Sequence, residues 1–544
     1  DMAAISRIEV LKGPSSAVYG SGLGGAVRMW SFQPEDDKFS FSFNSETGSF
    51  GMFRSFARLS YKSGKGVVSV VYSNSHSEGF RQNNRYNRNS LLLNSIRNFN
   101  KTGIKLTLLF TDVEAKIPSS LTETSFTENP QLAAPNWLAI KGFERYKKMI
   151  LGVTAESALN GNISNKLSVF TSFSDPYESR PFNILDENSK SAGLREQLHF
   201  SKTNFEFLGG GETFLEAYNW KIFETNSGNQ GDLITDNREK RFFLNAFSLA
   251  RYKSQKKLTI EFGLNMNILN YSIEDYFIAD SIDISGSHSF SPVLSPRIGI
   301  NVPIGTAINL HSSLGHGFSA PSPEETLLPD GQVNTKLKPE TGWNLDAGIR
   351  GKTMNGKIRY DLSLYHISLS NLLVTKRVSE EIFSGINAGK TNHSGIETMI
   401  RINLLSPAIK NDSEITFTTS FTASVNRFKD FTDNGTDYSG KKLPGIPSSV
   451  MYNELRCKFL NNFEFIAIHK FTGKQLLNDS NTRDYNGFQL MDLRISYSKT
   501  AGTKQHRFQI YGGVKNVFDK NYSGMILVNA PSFGAAEPRY YYPG

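Results

Sequence analysis

The sequence predicts an all-β protein, a large transmembrane antiparallel β-barrel of about 22 strands. Three observations predict it. Apolar and polar residues alternate with period two from residue 39 to the end. The alternating runs are about ten residues long, enough to cross a bilayer when tilted. Short connectors (63–66, 98–103, 159–165) take turns with long ones (about 76–90, 115–147, 174–197), and many of the 40 Phe and 21 Tyr lie near run ends. That is the pattern of a barrel with one tight rim, one looped rim and aromatic girdles. At about 23 residues per strand and connection, residues 39–544 supply the strand number.

The first element, Arg7 to Val27, reads RIEVLKGPSSAVYGSGLGGAV. Gly20, Gly22 and Gly25 spell G-x-G-x-x-G, with Glu46 downstream. A dinucleotide turn needs a helix directly after the glycines, because the helix N-terminus holds the pyrophosphate. Pro34 falls where the third turn would be, and Phe39, Phe41 and Phe43 then alternate with polar residues. The glycines are therefore read as tight turns and close backbone approaches.

The strands follow in order. Ala57, Leu59 and Tyr61 share a face; so do Val68, Val70 and Tyr72, then Leu167, Val169 and Phe173. Tyr360, Leu362 and Leu364 repeat the pattern, as do Phe417, Phe421, Ala423 and Val425. Met491, Leu493, Ile495 and Tyr497 precede a last run with Phe508, Ile510 and Val514. A soluble sandwich also alternates, but a closed barrel pairs every backbone group in lipid and encloses a wide lumen. That lumen must be open or plugged, and the glycine segment stands where a plug would join.

No run approaches the roughly 18 apolar residues of a spanning helix. Residue 1 is Asp and no charged-then-apolar leader follows, so an exported protein would have its leader upstream. One cysteine, Cys457, excludes an intrachain disulfide framework and a multi-cysteine metal site. The net charge of +9 gives at most a mild preference for anionic ligands.

ISRIEVLKGPSSAVYGSGLGGAVRM, GHGFSAPSPEETLL (315–328), LKPETGWNLDAGIRG (337–351), NAGKTNHSGIETMI (387–400), GGVKNVFDKNY (512–522) and AAEPRYYYPG (535–544) occur in this order. Together they resemble the TonB-dependent outer-membrane receptors. The resemblance implies the C-terminal part of a plug domain at 1–36 and a receptor barrel at 37–544. It further implies more plug before Asp1, with its energy-coupling box, and one more strand after Gly544. Arg7, Glu9, Lys12, Gly13, Pro14, Tyr19, Gly20, Gly24 and Gly25 would be plug-motif residues. Arg7 and Glu9 would face charges on the barrel's inner wall, and the glycines would make the turns.

The implied function is active import through the outer membrane, foremost of a ferric siderophore or other iron chelate. Cobalamin, haem or oligosaccharide import by the same family, or a passive porin or adhesin, are the alternatives. The implied partners are the TonB-ExbB-ExbD energy-transducing complex, outer-membrane lipid and a small-molecule ligand, with a surface lipoprotein as a further candidate; nucleic acid is not among them. No enzyme activity, resident cofactor or metal site is expected, the iron complex being cargo.

Three loops carry candidate ligand contacts, because guanidinium groups and aromatic rings suit an anionic chelate. The first holds Arg81, Arg85, Tyr86 and Arg88. The second, 117–148, holds Trp137, Arg145 and Tyr146, with Phe143 beside them. The third, 175–183, has Arg180 between Pro176 and Pro181. Solvated loop charge and loop packing compete with each. No catalytic arrangement emerges. The nine histidines are scattered, and His311 and His316 fall on opposite faces of a strand.

Overall fold

The computed structural model describes residues 2–13, 16–20, 22–32, 39–255, 257–277, 283, 285–321, 334, 337–379, 382–406, 413–433, 435–460, 462–502, 506–532 and 536–544. Pro14 and Pro34 lie outside them.

Among the described residues a barrel of 22 strands dominates. Each strand pairs antiparallel with its sequence neighbour, from Phe39–Gly48 round to His506–Val514. Two of the 22, Gly286–Ser289 and Val293–Ile304, lie end to end along the same strand, Thr259–Asp275. They form one interrupted stave, leaving 21 staves. An antiparallel ring closes its ladder only with an even number. The first and last strands therefore point the same way. Among the described residues they meet through side chains, the Tyr511 hydroxyl donating to Asn44 Oδ1 at 3.3 Å, and no backbone ladder joins them.

The faces sort as the alternation predicts. Phe39, Phe41 and Phe43 are 67%, 59% and 65% exposed, and Leu59, Tyr61, Val68, Tyr72, Ile495, Phe508 and Ile510 are exposed too. The intervening Ser60, Ser69 and Ser73 are buried. Greasy outside and polar inside is the reverse of a soluble fold and what lipid requires.

Connectors on one rim are tight, among them 64–65, 100–101, 159–162, 203–204, 305–307 and 354–357. The other rim carries 78–85, 117–142, 276–292, 320–339, 371–389, 431–448 and 473–487. Long loops mark it as the extracellular rim. The 117–142 loop contains two short helices, Glu123–Glu128 and Pro135–Ile140. Residues 523–532 and 536–543 lie across this rim, where Arg539–Pro543 pairs with Leu121–Thr122.

The expected long loop at 174–197 is not there. Strands Ile163–Ser179 and Ile184–Lys202 run through it, joined by the tight connector 180–183. Together with Phe205–Asn226 and Asn229–Lys253 they span 17, 19, 22 and 25 residues. The last is about 80 Å long at ~3.3 Å per residue, so this wall stands well above the bilayer. Above the lipid nothing demands an apolar face, and the polar sequence there imitates a loop.

Candidate functional site

The lumen is occupied by an antiparallel hairpin, Ile5–Lys12 against Gly25–Ser31. Its turn region holds the short helix Ser16–Tyr19. Gly25 has φ +129°, and a Cβ there would overlap the Leu11 carbonyl, so the hairpin closes only with glycine. Gly13 has φ +73° and lies so near the wall that a Cβ would stand 2.7 Å from Asn344 Nδ2. Gly20, at φ +77°, backs onto Phe243 and Asn245. Among the described residues nothing lies within 4 Å of a Cβ placed on Gly24.

The hairpin touches walls far apart around the ring. Lys12 forms an ion pair with Glu397. The Gly22 N–H donates to the Phe318 carbonyl at 2.9 Å. Arg195 Nη2 donates to the Val18 carbonyl at 2.6 Å, and its guanidinium sits over the Tyr19 ring at 5.6 Å. Arg58 stacks on Phe32 at 3.6 Å. Among the described residues such contacts are mostly polar.

Among the described residues, Arg7 and Glu9 make no ion pair with the wall, contrary to expectation. Arg7 and Arg28 both pair with Glu9, at 3.5 and 3.3 Å, and both stack on Trp30, at 3.9 and 4.7 Å. Adjacent hairpin strands bring these residues together, so their charges are met locally. Beside the hairpin is a cavity of about 1320 Å3 lined by Arg195, Glu206, Arg251, Glu261, Arg297 and Asp346 among others. Arg251 bridges Glu206 and Glu261 at 3.0 and 2.8 Å.

The candidate ligand residues separate into three groups. Arg81 is buried, not presented. Its Nε and Nη2 donate to the Leu132 carbonyl at 3.1 and 2.9 Å, and Nη2 reaches the Pro118 carbonyl at 3.5 Å. Burial lowers its guanidinium to about 10, partly offset by Tyr542. Trp137 is likewise buried, packed against Gly142 inside its loop. These two residues fold the loops.

Arg85, Arg145 and Arg180 are engaged elsewhere. Arg85 pairs with Glu114 at 3.0 Å. Arg145 lies over Tyr177 at 4.7 Å. The strand Phe143–Ala158 begins two residues before Arg145, so Arg145 and Tyr146 point to opposite sides of the wall. Val113, Tyr146's cross-strand partner, is buried toward the lumen, which places Arg145 outside. Arg180 is held by Glu178, Nε donating at 2.7 Å.

Tyr86, Arg88 and Tyr146 remain. Tyr86 and Arg88 share the face of buried Ser90, and Arg88 pairs in register with Val113. Tyr146 lies within electrostatic reach of Tyr86, Arg88 and Glu144. These side chains form the one cluster of predicted residues on the inner face near the loops. His316 packs edge-on against Trp343 at 5.3 Å with Ser295 at 3.0 Å from Nδ1. Of the wall partners, Phe318, Asn344 and Glu397 lie within the segments 315–328, 337–351 and 387–400 that carry the resemblance, though none was singled out as a contact, and Arg195 lies in no such segment.

Comparison with known proteins agrees with the geometry. The family model described as TonB dependent receptor-like, beta-barrel, matches residues 19–517. A crystal structure of the ferric citrate transporter FecA, unliganded, superposes with a TM-score of 0.81 at 16% identity, covering 99% of this chain and 81% of that one. The siderophore receptor PiuA from Acinetobacter baumannii gives 0.77 at 14% identity, covering 100% and 85%. The copper transporter OprC gives 0.77 at 15%, covering 99% and 84%. At such identities the structural matches establish the fold alone. The family match covers most of the sequence, and this chain belongs to the TonB-dependent receptors of the outer membrane.

Proposed function

We propose that the protein imports an iron chelate, foremost a ferric siderophore, with energy from the TonB-ExbB-ExbD complex acting on the plug. The observation that carries this reading is the hairpin Ile5–Ser31 standing in the lumen on a handful of polar contacts. A passive porin has no use for such an obstruction. A plug held at Lys12, Val18 and Gly22 admits cargo only when work is done on it. Iron is supported by the cargo named for FecA and PiuA, while OprC shows that the same architecture serves another metal. Tyr86, Arg88 and Tyr146 supply phenol and guanidinium groups for an anionic chelate, which is cargo and not a resident cofactor. No chemistry on the cargo is required, so the protein acts as a receptor and transporter and not as an enzyme.

The test is uptake of radio-iron chelates by cells whose own receptors are deleted and which express the full-length protein. Uptake should stop when the proton-motive force is collapsed or TonB is deleted. Uptake that survives both treatments would reject active import. Energised uptake of other cargo, with none of iron, would keep the mechanism and replace the ligand.

A further inference from the structure

The outer wall carries a groove of about 680 Å3 that the lumen does not share. It crosses the strands Ile184–Lys202, Phe205–Asn226 and Asn229–Lys253. Their register aligns Lys190 with Ala217 and Lys240, and Ala192 with Leu215 and Phe242. Glu239, Arg241 and Phe243 are buried toward the lumen, so Lys240 and Phe242 project outward. Lys190, Ala192 and Leu215 are exposed on that same outer side. Ala192, Leu215, Ala217 and Phe242 make an apolar floor, and the two lysines stand at its loop-side end.

Their height is fixed by the strands. Lys190 comes 13 residues before Thr203 of the near turn, and Lys240 comes 14 before Ser254 of the next. On neighbouring strands the outward face changes from apolar to charged at a similar distance. Asp112 follows Phe110, Lys147 lies beyond Met149, and Asp175 follows Phe173. About twelve residues of strand tilted by ~40° rise about 30 Å, the apolar band plus the start of the headgroups. The lysines therefore sit at headgroup level of the extracellular leaflet.

Lys190 lies 6.0 Å above the Phe173 ring, with no carboxylate at ion-pair distance among the described residues. Lys240 pairs with Glu274 and keeps two further N–H donors. We propose that this groove binds a phosphorylated lipid of the outer leaflet, its acyl chains on the apolar floor and its phosphate between Lys190 and Lys240. The assignment rests on the barrel's orientation in the membrane and is independent of the cargo.

Native mass spectrometry of the intact, detergent-purified protein tests it. The probe is bisphosphorylated lipid A, compared with its dephosphorylated form. The phosphorylated form should be retained preferentially. Lys190→Gln should cut that preference about fivefold, the effect of one cation near an anionic surface. Glu274→Gln, which frees Lys240, should raise it. Ala217→Trp, which fills the floor and leaves both lysines, should release the lipid. Heat-modifiable gel migration verifies that each variant is a folded barrel. Equal retention of the two forms, no change in Lys190→Gln, or full retention by folded Ala217→Trp would overturn the proposal.

Discussion

Arg195 on the barrel wall donates from Nη2 to the Val18 carbonyl of the plug segment at 2.6 Å while Glu212 holds its Nη1 at 2.7 Å. One guanidinium thus ties the plug to a carboxylate-anchored point on the wall. The fork geometry of arginine allows both bonds at once, and lysine could not reproduce it.

Arg195→Ala should loosen the plug and leave the barrel intact. It removes a charged hydrogen bond and leaves Glu212 without its partner, a loss of about 2–3 kcal/mol local to the hairpin. In planar bilayers, urea should open conductance at lower concentration than in wild type, with heat-modifiable barrel migration unchanged. Identical opening thresholds would show that Arg195 bears no share of the closure.

Arg81→Ala should unstitch the 117–142 loop. The Leu132 carbonyl loses its donor, at about 2 kcal/mol, while the Pro118 carbonyl keeps the Ala134 N–H at 2.8 Å. Local opening of that size should speed trypsin cleavage at Lys141 by about 30-fold. If the loop stays protected and ligand affinity falls instead, Arg81 is a ligand contact after all.

The two faces of each strand were legible because period two is a local property and lipid enforces it along about ten residues. The stretch Asp186–Ser189 misled for the same reason. It stands above the lipid, carries polar residues on both faces and still pairs with Trp220 and its neighbours. Arg145 and Tyr146 could have been told apart had the strand start at Phe143 been visible, since neighbours in a strand diverge. The plug's partners were not legible. Arg195 is 177 positions from Val18, and Glu397 is 385 from Lys12; only ring closure brings them together.

The extracellular cap should come apart in alkali. Tyr541 stacks on Phe126 at 4.8 Å and meets Tyr485 edge-on at 5.8 Å. Burial, and then Glu123, push its phenol from 10.0 up to about 12. A proton held more tightly in the folded state stabilises fully below pH 10, and that contribution is lost as pH rises through 10 to 12. Phenolate absorbance of wild type minus Tyr541→Phe should show a group titrating near 12, and proteolysis of residues 523–543 should begin in the same window. A difference spectrum centred near 10 would place Tyr541 in water.

Glu196 is an acid on the lipid face. It shares that face with exposed Leu194 and Leu198, seven residues from Thr203 of the periplasmic turn, and accepts a hydrogen bond from Asn165. Seven residues of tilted strand rise about 18 Å, well within the apolar band. One amide offsets only part of the cost of a carboxyl group there. Glu196→Leu should therefore raise the unfolding free energy by about 1–2 kcal/mol, less than the reverse effect of a mid-membrane Lys or Arg. Urea unfolding in phospholipid vesicles, followed by tryptophan fluorescence, measures this. A fall in stability, or a change in oligomeric state on substitution, would mean that Glu196 meets another protein in the membrane and not lipid.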